Sequence, residues 1–91
     1  MCIYLGTFVK RFNMPTIDTI DGIKVCIYGG EHRPPHFHAI YNEFEVVIEI
    51  ETSNIYAGDL PNKQLKKVFD WLAGNSEWAS EVFYELNPEL L

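Results

Sequence analysis

The stretch HFHAIYNEFEVVIEIE, residues 36 to 51, constrains this chain more than any other part of it. Two apolar-rich runs, Phe37–Tyr41 and Phe44–Glu51, are separated only by Asn42 and Glu43. A two-residue connection with asparagine first favours a tight antiparallel hairpin. That turn length sets the register, and register decides which side chains meet. Tyr41 then faces Phe44, Ala39 faces Val46 and Phe37 faces Ile48, forming one apolar surface. On the other surface Ile40 meets Glu45, His38 meets Val47 and His36 meets Glu49, with His38 diagonal to Glu49. A slip of one residue would bury the histidines and expose the phenylalanines, so this register is strongly specified.

Upstream, Ile23, Val25 and Ile27 alternate with Lys24, Cys26 and Tyr28, which reads as a half-buried strand. Asp21-Gly22 precedes it as a turn and Gly29-Gly30 ends it. Pro34 and Pro35 cannot donate to a ladder, so residues 29–35 form a loop leading to the hairpin. Downstream, Ser53-Asn54 marks a turn and Ile55–Gly58 a short strand. The period then changes. Leu65, Val68, Phe69 and Leu72 make one helical stripe, with Pro61 in the first turn and Gly74 as a stop. Ala79, Val82, Phe83 and Leu86 repeat the spacing, which predicts a second helix over about Glu77–Leu86, capped by Ser76 and ended by Asn87-Pro88. The expected fold class is α+β: a small antiparallel β-sheet of three to five strands, followed by two C-terminal helices packed on its apolar face. The histidine-bearing face is expected to look toward solvent or a partner. Met14 opens a complete pattern, so residues 14–91 read as a single α+β domain. Residues 1–13 read as an N-terminal extension from an upstream start, or as an edge strand at Cys2–Val9.

Thirteen acidic against seven basic residues give a net charge of −6, which disfavours nonspecific nucleic-acid binding. Cys2 and Cys26 form no ligand motif and are expected to be reduced thiols in the cytoplasm. No apolar run approaches the about 18 residues of a membrane span. Lys10 and Arg11 follow the apolar start instead of preceding it, unlike a secretory signal.

All three histidines of the chain, His32, His36 and His38, fall within EHRPPHFHA at 31–39. His36 and His38 point the same way on a strand. With Glu49 across the hairpin they resemble a 2-His-1-carboxylate metal site, to which His32 or Glu31 could add a fourth ligand. Zinc or another divalent transition ion would then keep an open position for water. A metal-free reading makes His36 and His38 the acid and base of RNA cleavage, with Arg33 stabilising charge. Glu45, Glu49 and Glu51 oppose a phosphate there, and Lys63, Lys66 and Lys67 read as a solvated helix face. A purely structural reading has the imidazoles bond carbonyls of the Pro-Pro corner and pair across the strands. Residue types and spacing leave these three open. Cupin is excluded: Gly30, His36, His38 and Glu43 match half its signature, but position 50 is Ile and no histidine follows residue 38. Tyr28 and Trp71 lie off the core stripes and Tyr56 is unplaced, which allows an exposed aromatic patch or a wider core.

MPTI at 14–17, GIKVCIY at 22–28, EHRPPHFHA at 31–39, GDLP at 58–61, QLKKVFDWL at 64–72 and FYELNPEL at 83–90 together resemble the domain of unknown function family 4160. The resemblance runs from residue 14 to 91, and its H-x-P-P-H-F-H-A string is specific. It implies a small bacterial cytoplasmic protein, encoded beside another short protein in an arrangement like a toxin–antitoxin pair. It carries over no catalytic residue; His32, His36 and His38 match the recurring motif. The resulting expectation is an interaction partner in a two-gene toxin–antitoxin-like module, bound to the small protein encoded by the adjacent gene. The alternative is a metal-dependent hydrolase or nuclease using His36, His38 and Glu49.

Overall fold

Two short turns set up the sheet. Asp21 and Gly22 both take positive φ (46° and 83°), the backbone of a two-residue hairpin turn whose twist suits the strands it joins. They link β1 (Thr16–Ile20) to β2 (Ile23–Cys26). Asn42, at φ 54°, begins the second turn, between β3 (His36–Tyr41) and β4 (Phe44–Glu49). β5 (Ile55–Gly58) follows, then one long helix, α1 (Asn62–Leu86), and a single 3-10 turn at Pro88–Leu90. The computed structural model describes residues 16–32 and 34–90. The extension or edge strand expected over residues 1–13, and Arg33, lie outside them.

The five strands form one antiparallel sheet in sequence order, β1-β2-β3-β4-β5. The β3–β4 register is the one the Asn42 turn predicts: Phe37 opposite Ile48, Ala39 opposite Val46, His36 opposite Glu49 and His38 opposite Val47. Phe37, Ala39, Val46 and Ile48 are fully buried with Ile23, Val25 and Ile27, and the helix covers them with Val68, Leu72, Ala79 and Phe83. Trp71 joins this core at 9 % exposure, and its indole N–H donates to Asp18 of β1 at 2.7 Å. The wider-core reading therefore holds for Trp71. Among the described residues no helix is long and apolar enough to cross a membrane.

Two expectations need correcting. The first is the pair of helices: residues 62 to 86 form one unbroken helix of 25 residues. Gly74 does not stop it, because its φ stays in the ordinary helical range and a Cβ there would meet open space. A glycine inside a helix costs only about 1 kcal/mol. Val68 and Leu72 each lie eleven residues, about three helical turns, before Ala79 and Phe83 respectively on the same buried stripe, so one straight helix buries both halves against the sheet. Asn75 donates its side-chain N–H to the Trp71 carbonyl four residues back, at 2.8 Å, and stays within the helix. The second is the outlook of the histidine face. His36 and His38 are 4 % and 8 % exposed, not open to solvent, since the loop after β2 folds back across them.

β4 and β5 approach so closely that only glycine fits at residue 58. Gly58 has φ +77°, and a Cβ would strike the Glu45 carbonyl oxygen, with the Val46 Cα at 3.2 Å. Asp59 N–H then donates to that same Glu45 carbonyl at 3.0 Å. Gly58→Ala is expected to lower unfolding free energy by about 2 kcal/mol or more, from backbone strain and steric overlap. Urea denaturation followed by circular dichroism checks this; an unchanged midpoint would contradict the close approach.

Candidate metal centre

Strand alternation places His36 and His38 on one side of β3, and their rings stand 5.6 Å apart between centroids. Each ring is oriented through Nδ1. His36 Nδ1–H donates to the Pro34 carbonyl at 2.7 Å, which the bend of the Pro-Pro loop brings over the start of the strand. His38 Nδ1–H donates to the Glu45 carboxylate at 2.8 Å, from the neighbouring strand β4. Both Nε2 atoms therefore turn toward the loop, where they meet Glu31. His36 Nε2 lies 3.2 Å from Glu31 Oε1 and His38 Nε2 lies 3.6 Å from Glu31 Oε2. One ligand atom from each of Glu31, His36 and His38 lies within 4.8 Å of the other two. Two ligands about 2.1 Å from one tetrahedral ion sit about 3.4 Å apart, so the two nitrogen–oxygen distances bracket that spacing.

Aromatic rings close the flanks. Tyr28 meets His38 edge-on with centroids 4.8 Å apart, Tyr56 stacks on His36 at 6.0 Å, and core Phe83 touches His36 from the helix side at 5.5 Å. The Glu31 side chain is the most accessible of the three at 23 %, so the approach from outside is along the loop.

The sequence profile of a domain of unknown function, DUF4160, matches residues 22–82. The chain belongs to that family. No curated protein and no solved structure matches it. The family match takes in β2 to β5, most of the helix, and all three of Glu31, His36 and His38.

Against the residues that motif and register nominate, this member of family 4160 differs in its carboxylate. Glu49 is opposite His36 in the ladder, but its Oε1 accepts from the Thr52 hydroxyl at 2.7 Å. Its place in the cluster is taken by Glu31, named from the sequence only as a further ligand. Register arithmetic finds partners within a ladder; it is blind to a loop folding over the sheet. His32 is exposed, its ring 5.7 Å from His36 and 6.4 Å from Tyr56, and it is not one of the three converging residues. Arg33 lies outside the described residues. Glu45 and Asn87 are the residues sequence reasoning missed. Glu45 was legible as a hairpin neighbour of His38, whereas Asn87 is 49 positions beyond it and nothing local announces it. Cys26 faces His38 across the β2–β3 pairing but is buried, and that burial pushes its thiol above the usual range, so the neutral thiol is favoured.

Electrostatics ties the cluster together. Hydrogen bonds from His36 and then His38 hold the Glu31 carboxyl down to about 2, overcoming its partial burial. Burial disfavours a charged His36, yet its bonds to Glu31 and the Pro34 carbonyl, with the charges of Glu31 and Glu49, raise its pKa above the ordinary 6.5. Without a metal, the proton on His36 Nε2 sits on the line to Glu31. A depressed carboxylate stabilises the fold above its unfolded pKa and loses that contribution as pH falls from 4.5 toward 2. A raised imidazole stabilises the fold below 6.5 and loses that contribution as pH rises through its folded pKa. Metal-free protein is therefore expected to be most stable between about pH 4.5 and 6.5, with the Glu31 limb worth about 1–2 kcal/mol after solvent screening. Denaturation midpoints across pH in the presence of a chelator test this, and Glu31→Gln should flatten the acid limb. A wild-type curve with no acid limb would contradict the pairing.

Proposed function

We propose that this chain holds a divalent transition ion, zinc foremost, on Glu31, His36 and His38, and uses it as a metal-dependent hydrolase. The observation that carries the reading is the orientation of the two imidazoles. Each gives its Nδ1–H to an oxygen acceptor, Pro34 carbonyl or Glu45 carboxylate, and directs Nε2 toward one shared carboxylate. Metal-ligating histidines are commonly held this way, since an acceptor on one nitrogen fixes the tautomer and leaves the other nitrogen basic. A salt-bridged structural cluster would not need both rings held in the same sense. The ion would take the place of the His36 Nε2 proton, and three protein ligands leave a position for water. A bound divalent ion lowers the pKa of that water toward neutrality and polarises a carbonyl or phosphoryl oxygen beside it. Glu45 beside His38 and Glu49 opposite His36 add negative charge at the site, which favours a neutral or cationic substrate over a nucleic acid. The bacterial cytoplasm is the compartment we propose for this activity.

Untagged protein is expected to carry about one zinc per chain by elemental analysis, or to take one up after chelation. At one hundred times Kd, added zinc should stabilise the fold by about 2.7 kcal/mol in thermal unfolding. His36→Ala should weaken binding by about a hundredfold or more, since loss of even an outer partner costs 10- to 100-fold. Protein that neither contains metal nor gains stability from zinc, manganese, nickel or cobalt would end this reading.

A second reading, docking of the small protein encoded alongside, is favoured by β5. All four of its residues are exposed, Ile55 and Tyr56 at 45 % and 52 %, and among the described residues it pairs only with β4. Such an edge offers backbone donors and acceptors for an added strand. Co-expression with the adjacent gene product should give a complex that Ile55→Lys weakens; separate elution of the two proteins would count against it.

A further inference from the structure

Asn87 follows the last residue of α1, outside any ladder, and is fully buried. Its amide uses each end. Nδ2–H donates to the Phe83 carbonyl at 2.9 Å, inside the last helical turn, and to the Tyr28 carbonyl at 3.0 Å, just beyond β2. Oδ1 accepts the backbone N–H of Glu31 at 2.9 Å. The side chain thus joins three segments: the helix end, the exit of β2, and the residue that supplies the carboxylate. A second contact brings the same pieces together. Gly29 lies so close to the helix that a Cβ would come within 3.2 Å of the Leu86 carbonyl oxygen. Phe83, whose carbonyl Asn87 holds, also lays its ring 5.5 Å from that of His36.

We infer that Asn87 is a positioning residue for the metal centre: it fixes the Glu31 backbone so that one carboxylate reaches both imidazoles. The inference rests on the metal reading above. Strand geometry alone orients His36 and His38, but Glu31 belongs to a loop with two glycines before it and two prolines after it. Among the described residues, neither ladder hydrogen bonds nor a regular turn holds it in place. The amide of Asn87 supplies the missing constraint, and a primary amide is suited to it because it accepts once and donates twice at the same site. Asp could keep the contact to Glu31 N–H but would set an acceptor against two carbonyls.

The test is a double-mutant cycle read as metal affinity. Full-length wild type, Asn87→Ala, Glu31→Gln and the double variant are titrated with cobalt(II), following its visible bands, and with zinc by competition. Asn87→Ala is expected to weaken both ions by ten- to a hundredfold, the usual effect of losing a residue that orients a ligand. In the Glu31→Gln background the same substitution should change affinity less than threefold, because there is no ligand carboxylate left to position. A residue with a merely structural role would lower thermal stability equally in both backgrounds and leave the affinity difference uncoupled. Where Asn87→Ala does not fold, Gly29→Ala serves in the same cycle: it presses the loop off Leu86 without touching Asn87, and should weaken the wild type several-fold but not Glu31→Gln. Wild-type binding with equal binding by Asn87→Ala, or by Gly29→Ala where that variant stands in, overturns the positioning role and leaves the metal site standing. A wild type that binds neither ion overturns the metal reading and this inference with it.

Discussion

The pairing of β3 with β4 through the Asn42 turn is the interaction on which the rest of the structure depends. It gives the sheet an apolar side for the helix and a side that carries two imidazoles two residues apart. Because strand side chains alternate, these are one fact and not two. A shift of register would remove the core and the histidine pair together. The same ladder brings Glu45 beside His38, so the hairpin orients one ring without help from any other element.

The second ring and the carboxylate need more of the chain. Pro34 presents its carbonyl to His36, and the loop then returns Glu31 over both rings. The loop keeps this course because it is anchored at the far end of the protein, by Asn87 and by the close approach of Gly29 to Leu86. The candidate centre is therefore assembled from a strand, a loop and a helix terminus. Both Nδ1 atoms and His36 Nε2 are hydrogen-bonded although the rings are buried, as burial at low dielectric requires.

The long helix follows the same logic. Leu65, Val68 and Leu72 share a buried face with Ala79 and Phe83, and the sheet is long enough to cover all of them. Gly74 and Ser76 are ordinary stop and cap signals, and local propensity favours a break there. Continuous burial outweighs a glycine penalty of about 1 kcal/mol, so tertiary packing keeps the helix whole. The unbroken helix is also what carries Phe83 and Asn87 to the histidine end of the sheet.

Much of this was legible in the residues alone. Period-two alternation marked β2 and Asp21-Gly22 a turn before it, and the turn length at Asn42 set the β3–β4 hairpin, putting His36 opposite Glu49 and His38 opposite Val47. β1 was harder to read, since TIDTI is short and only partly buried. The choice of Glu31 over Glu49, the burial of both imidazoles and the role of Asn87 were decided by tertiary structure. The physical reason is range. Alternation and turn geometry act over a few residues and determine which side of a strand a group occupies. The bond from Asn87 to Glu31 spans 56 positions, and it exists only once the helix has packed against the sheet.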